Sequence, residues 1–260
     1  KKKKLIMKKR KMLTKKKKIL IVHNYYQIPG GEDTVVANEK KMLEDHGHEV
    51  VLYTRSNSEI KTMFGVQKAL LPLTTVFNYR TYKDVKQLIK TEKIEIVHVH
   101  NTLTLISPAV YYAAYSCKIP VVQTMHNFRL LCPGATFYRD GHICEDCVSR
   151  GLWCAVKNGC YRGSRIQTLV CVASTVIHRM TGIYGKLNYI CLTEFNKKKL
   201  LQLKQIQPEH VYVKPNFTYT IKNGYGEKNY FLYIGRMEKI KGVRTLLEAF
   251  ARLPDKRLVL

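Results

Sequence analysis

The amino-acid sequence predicts an α/β fold built on a doubly wound parallel sheet, on three observations. Short apolar runs alternate with helical patterns along most of the chain, at intervals that fit parallel strands joined by helices. The first run, residues 19–22, is apolar throughout, as a strand buried on both faces requires. Gly30-Gly31, Asn101 and His126 all fall just after such runs, at the carboxyl ends where open parallel sheets bind ligands.

Taken in order, the strand at 19–22 leads through Pro29 and Gly30-Gly31 into a helix from Thr34. Val35, Val36, Met42 and Leu43 share its inner face, with Glu39, Lys40 and Glu44 outside. The glycines are expected to take conformations closed to other residues. The helix start, with its unpartnered N–H groups, forms an anion-binding corner. The three-glycine dinucleotide fingerprint is missing, so a nicotinamide or flavin role has no support. Residues 48–54 read as a second strand. Residues 59–82 mix Met63, Phe64, Leu70, Leu71, Leu73 and Phe77 with Lys61, Lys68 and Arg80, and are expected to form a helix–turn–helix on the sheet; a membrane-facing surface is the alternative. Helix at 83–90, strand at 94–100, helix from Ser107-Pro108 to Lys118 and strand at 121–125 follow. Ile166, Leu169, Val170, Ala173, Ile177, Met180 and Tyr184 lie at helical spacing and predict one core-facing helix over 166–184. A fifth strand at 189–193, a basic helix at 196–204 and a strand at 210–216 complete a domain over 18–222. Residues 223–228 are polar and turn-rich, a linker; a strand at 230–234, a helix at 243–253 and a strand from Arg257 then start a second sheet.

A hydrophobic content of 45% excludes general disorder, and no stretch reaches transmembrane length. The net charge is +26, but twelve Lys and Arg with no acid lie in residues 1–18, and removing them leaves +14. Residues 1–17 are therefore read as a basic disordered tail, either simply solvated or suited to anionic lipid headgroups or nucleic acid. No signal peptide is expected, which predicts a cytoplasmic protein whose eight cysteines are thiols or metal ligands. A cysteine-rich insert at 132–160 holds one CxxC pair, Cys144 and Cys147, among turn residues. If it binds a structural zinc ion, the expected set is Cys132, Cys144, Cys147 and Cys160; reduced, unliganded thiols are the alternative.

Gly30-Gly-Glu32, Ile96-Val-His-Val-His-Asn101, Thr124-Met-His126 and Gly235-Arg-Met-Glu-Lys-Ile-Lys-Gly242 together resemble the family-4 glycosyltransferases of the GT-B fold. The resemblance implies two Rossmann-like domains, here an N-terminal one and the start of a C-terminal one, the second being truncated. It implies that Arg236 and Lys241 grip a donor diphosphate, which makes a divalent metal unnecessary. Gly30 and Gly31 would let the backbone approach that donor or the acceptor, and His126 would face the donor sugar and orient it. Asn101 is expected to line the cleft on the acceptor side; Glu32 and Asp33 are either acceptor contacts or ordinary first-turn acids. Two glutamates that bind the donor in the family fall beyond Leu260.

The expected activity is transfer of a hexose from a nucleotide-diphosphate sugar (UDP- or GDP-linked) to a glycan, lipid-linked, in surface polysaccharide synthesis. Retention of configuration and no catalytic cofactor are expected, with the protein working at the anionic inner face of the plasma membrane. The competing readings are a zinc-stabilised nucleic-acid binder and a truncated, non-catalytic homologue. No nucleic-acid motif supports the former.

Overall fold

The computed structural model describes residues 15–219, 229–238 and 241–260. Most of the expected tail and the linker at 223–228 lie outside these residues. Within the last part of the tail, Lys17 donates its backbone N–H to His48 Nδ1 (3.0 Å) and its Nζ to Glu95 (2.5 Å), so order begins ahead of the first strand. The chain divides into two units, at Thr218 and Tyr219.

In the first unit the elements are β1 (Lys18–Tyr25), α1 (Gly31–Asp45), β2 (Glu49–Ser56), a 3-10 turn (Asn57–Thr62), α2 (Gly65–Ala69), α3 (Leu71–Val76), α4 (Tyr79–Thr91), β3 (Ile96–Asn101), α5 (Ala109–Ser116) and β4 (Val121–Met125). The insert contributes a hairpin of β5 (Tyr138–Arg139) and β6 (His142–Ile143), then α6 (Asp146–Ser149) and α7 (Trp153–Lys157). The unit closes with α8 (Arg165–Met180), a 3-10 turn (Ile183–Lys186), β7 (Asn188–Cys191), α9 (Glu194–Leu200), a 3-10 turn (Pro208–His210) and β8 (Val211–Val213). Six strands form one parallel sheet in the order β2-β1-β3-β4-β7-β8. This is the expected doubly wound sheet, and its order reverses between β1 and β3. The second unit consists of β9 (Phe231–Leu232), α10 (Val243–Phe250) and β10 (Leu258–Val259), the two strands pairing in parallel.

The core lies where the sequence is most apolar. Leu20, Ile21, Val22, Val97 and Val99 are fully buried, each contributing roughly 1.5–3 kcal/mol. α1 covers one face of β1 through Val36 and Leu43, while α4 and α5 cover the other through Val85, Ile89, Val110 and Ala114.

Three expectations need correction. Residues 59–82 form the separate short helices α2 and α3 and the start of α4, and Phe64, Val66, Leu70, Leu73 and Phe77 are exposed rather than packed on the sheet. α8 ends at Met180, because Gly182 turns the chain with φ +69° and Tyr184 falls in the following 3-10 turn. The face of α8 is also not the one its apolar spacing indicates. Ile166, Leu169, Ile177 and Met180 are exposed, whereas Thr168, Cys171, Val172, Thr175 and His178 are buried. Polar groups can take the inner face because each finds a partner there. Thr168 and Thr175 hydroxyls donate to the carbonyls of Ser164 and Cys171 (2.6 and 2.9 Å). His178 bridges the Val76 carbonyl (2.9 Å) and the Tyr112 hydroxyl (2.7 Å), tying α8 to α3 and α5.

Candidate functional site

The switch in strand order opens a crevice beyond the ends of β1 and β3, the ligand position of open α/β sheets. Strand periodicity puts His98 and His100 on one face of β3, the face covered by α1. Helix periodicity puts Glu39 on the inner face of α1, four residues from both Val35 and Leu43. The sequence reading placed Glu39 outside, and the structure corrects this: its Oε2 stands 3.5 Å from His98 Nδ1 and 3.2 Å from His100 Nε2. Glu39 Oε2 and His100 Nε2 are both buried and neither has a hydrogen-bond partner, so they face each other in a dry site.

Hydrogen bonds carry the pattern outward. His98 Nε2 meets the Thr124 hydroxyl at 2.8 Å, and His100 Nδ1 meets His126 Nε2 at 3.0 Å. A carboxylate can only accept, so Glu39 favours protons on His98 Nδ1 and His100 Nε2, the nitrogens that face it. In that order His100 Nδ1 accepts from His126 Nε2–H. His126 Nδ1 then presents a lone pair. Burial pushes the His98 and His100 imidazoles down to about 3 and His126 to about 4, with neighbouring imidazoles adding repulsion. All three are uncharged at neutral pH. His23 belongs to the same group: burial lowers its pKa, and its Nε2 meets Asp33 Oδ1 at 2.8 Å.

Asp33 also changes the picture at the start of α1. Its Oδ2 accepts the Gly30 N–H (2.9 Å), so this carboxylate caps the corner read as an anion site. Gly30 is extended (φ −136°, ψ 177°), neither glycine has positive φ, and a Cβ at either would meet nothing within 4 Å. The expected conformational need for glycine is therefore corrected: what the pair provides is open space over the helix start.

Glu32 and Asn101 separate. Glu32 accepts from the Asn127 side chain (3.3 Å), its Oε2 is buried without a partner, and burial raises its pKa. Asn101 donates to the carbonyls of Asn24 (2.7 Å) and Leu103 (3.3 Å) and accepts the Leu103 N–H (3.1 Å). Its amide is committed to shaping the loop after β3, which corrects its expected availability to an acceptor. His100, Asn101, His126, Asn127 and Arg129 border a cavity of about 90 Å³. Thr75, Leu103 and Cys171 wall both this cavity and a second of about 300 Å³, which Leu71, Pro72, Val170, Tyr161, Lys68 and Arg162 also line.

In the second unit, Arg236 is exposed and paired with Glu238 (3.0 Å), and Lys241 is exposed at the turn before α10. Among the described residues, the His, Cys, Asp and Glu ligand atoms that gather within 4.8 Å of one another belong to Glu39, His98 and His100. Within this group Glu39 Oε2 and His100 Nε2 are buried without a hydrogen-bond partner, held near each other by charge and proximity. Glu39 is the inward-facing residue of this group that the sequence pattern does not flag, and its place between Val35 and Leu43 is the available signal.

Residues 29–147 match the model of Glycosyltransferase Family 4. The matched stretch runs from the start of α1 through β3, β4 and the CxxC pair. A Klebsiella pneumoniae protein described as an uncharacterized 42.6 kDa protein in the cps region is 27% identical over 125 residues, covering 46% of this chain and 33% of that protein. Two solved structures are similar at a TM-score of 0.47: the S. aureus MnaA–UDP co-structure (16% identical) and Anabaena HepE in complex with UDP and glucose (15% identical). Each covers 93% of this chain, which spans 60% of either.

Proposed function

We propose that this chain serves glycosyl transfer, moving a hexose from a UDP- or GDP-sugar to a lipid-linked glycan with retention of configuration. The observation that carries the reading is the neutral His126 at the crevice, with its tautomer fixed through His100 by Glu39, inside the stretch that matches the family-4 model. In such a transfer the anomeric carbon loses its bond to the diphosphate and gains one to the acceptor oxygen, whose proton must leave. An uncharged imidazole can accept a hydrogen bond from a sugar hydroxyl and orient the ring without competing for the proton. Glu32, with a free buried oxygen, is the proposed acceptor contact. In the second unit, Arg236 and Lys241 are the proposed diphosphate contacts; the charge they supply takes the place of a divalent metal. Gly30 and Gly31 leave room for a ligand to approach the first turn of α1.

The lipid-linked acceptor and an anionic membrane surface are supported by a separate observation. α2, α3 and α8 leave Phe64, Val66, Leu73, Ile166 and Met180 at least two-thirds exposed, with Lys61, Lys68, Arg162 and Arg165 exposed on the same segments. The 300 Å³ cavity opens among these elements, apolar inside with Lys68 and Arg162 on its walls, as a lipid phosphate requires. Among the described residues no helix is long and apolar enough to cross a membrane, so the surface would rest on the bilayer. The relative from a cps region fits a role in surface polysaccharide assembly.

The test is transfer of labelled hexose from UDP- and GDP-sugars to a lipid-linked acceptor in anionic vesicles, by the protein carrying this chain. Product with retained configuration, lowered about 100-fold by His126→Ala, is expected. Turnover unaffected by that substitution would reject the assignment of His126, and transfer to soluble but not lipid-linked acceptors would reject the membrane reading.

A further inference from the structure

The insert between β4 and α8 is poorly provisioned with the usual sources of stability. Its hairpin strands have two residues each, and α6 and α7 have four and five. It anchors to the main core through Leu131 and Phe137, and the cluster of its own is only Leu152, Ala155 and Val156, joined by Val172 of α8. Ile143 and Trp153 are exposed, and Ala135, Phe137 and Asp140 all have positive φ. A segment with so little core and so much unfavourable backbone needs a cross-link to hold one conformation.

The structure supplies the parts of one. Cys132 follows the turn after β4, Cys144 follows β6, Cys147 lies in α6 and Cys160 follows α7. These four, from four local elements, line one cavity of about 80 Å³. Cys117, Cys154, Cys171 and Cys191 do not. Gly134 stands against the cavity, and a Cβ there would press on the Cys160 carbonyl at 3.3 Å, so a bare backbone keeps Cys132 and Cys160 close. Arg139 lines the cavity too, paired with Asp140 (3.2 Å) and Asp146 (3.4 Å), and so sets a positive charge beside the sulfurs.

We infer that Cys132, Cys144, Cys147 and Cys160 bind one zinc ion as a structural site. Four thiolates satisfy zinc's tetrahedral preference and leave no position for a substrate, so the ion pins the insert and takes no part in transfer. With zinc the site carries a net charge of −2, which Arg139 partly offsets. No three of these sulfurs lie within 4.8 Å of one another, so the ion must draw the side chains inward as it binds. Binding releases the thiol protons, which makes uptake weaken as pH falls.

The chain is produced in zinc-supplemented medium, purified without chelator, and analysed for metal content and by X-ray absorption at the zinc edge. One zinc per chain, with sulfur neighbours alone at about 2.3 Å, is expected. Cys144→Ser together with Cys147→Ser removes the metal, while Cys154→Ser and His98→Gln keep it. Because the double variant can misfold, the wild-type chain is also probed by thiol alkylation before and after chelation. Chelation should expose four further thiols, those of Cys132, Cys144, Cys147 and Cys160 by peptide mapping. A chain without zinc, nitrogen or oxygen ligands at the edge, or metal lost with His98→Gln and retained in the double cysteine variant, overturns the assignment.

Discussion

The crevice at the ends of β1, β3 and β4 and the cysteine insert both gather polar side chains, yet they are held in opposite ways. In the crevice the scaffold comes first. Parallel strands deliver His23, His98, His100 and Asn101, and α1 closes over them with Asp33 and Glu39. The side chains there inherit their positions and express them as chemistry: depressed imidazole pKa values and a carboxyl group, Glu32, whose Oε2 is buried without a partner. In the insert the order is reversed. Two-residue strands and one-turn helices carry little structure of their own, so under the proposed zinc site the four cysteines do much of the positioning. A cluster on a sheet can be spent on binding a ligand; a cluster that serves as the scaffold cannot.

The largest effect that would break this comparison comes from the crevice. Asn101→Ala removes three hydrogen bonds and leaves the Asn24 and Leu103 carbonyls without their side-chain donor. It is expected to cost about 2–3 kcal/mol in urea denaturation. Cys154→Ser, in the insert but away from its cavity, should cost less than about 0.5 kcal/mol. Equal losses would mean that the crevice is no better built than the insert.

A smaller effect concerns pH. The imidazoles of His98, His100 and His126 sit at about 3, 3 and 4 in the folded chain against 6.5 in the unfolded one. Between pH 6.5 and about 3 the unfolded state binds protons that the native state refuses. Stability from this source is thus complete above pH 6.5 and falls as pH drops through that window. Denaturation midpoints at pH 5 and 7.5 should show the drop, and His98→Gln should shrink it. A midpoint that rises on acidification would contradict buried neutral histidines.

The smallest effect tests the outer surface. Ile177→Ser and Met180→Ser on the exposed side of α8 should change stability by less than about 0.5 kcal/mol while reducing retention on anionic vesicles. A loss of several kcal/mol would show that this face is packed.

The fold was legible because its signals are local and apolar. The runs at 19–22 and 121–125 are buried strands, and the alternation of strand and helix gave the parallel sheet. The four cysteines that line one cavity are the set expected from the sequence if zinc is bound. What escaped were polar residues satisfied inside. Thr168, Thr175 and His178 bury the side of α8 opposite its apolar stripe, because hydrogen bonds across 4 to 102 residues satisfy them. Glu39 was hidden by its charge, although its position in the helix repeat pointed inward. Which histidine nitrogen carries a proton depends on contacts between α1, β3 and β4, and no local pattern encodes that.

The central claim is that the crevice presents uncharged imidazoles in one tautomeric order set by Glu39. Nitrogen-15 NMR of the histidine rings, followed from pH 7.5 to 5, measures this directly. The account predicts that His98, His100 and His126 stay neutral throughout, with protons on Nδ1 of His98 and on Nε2 of His100 and His126. Titration of any of the three near pH 6.5, or a proton on Nδ1 of His126, would contradict it.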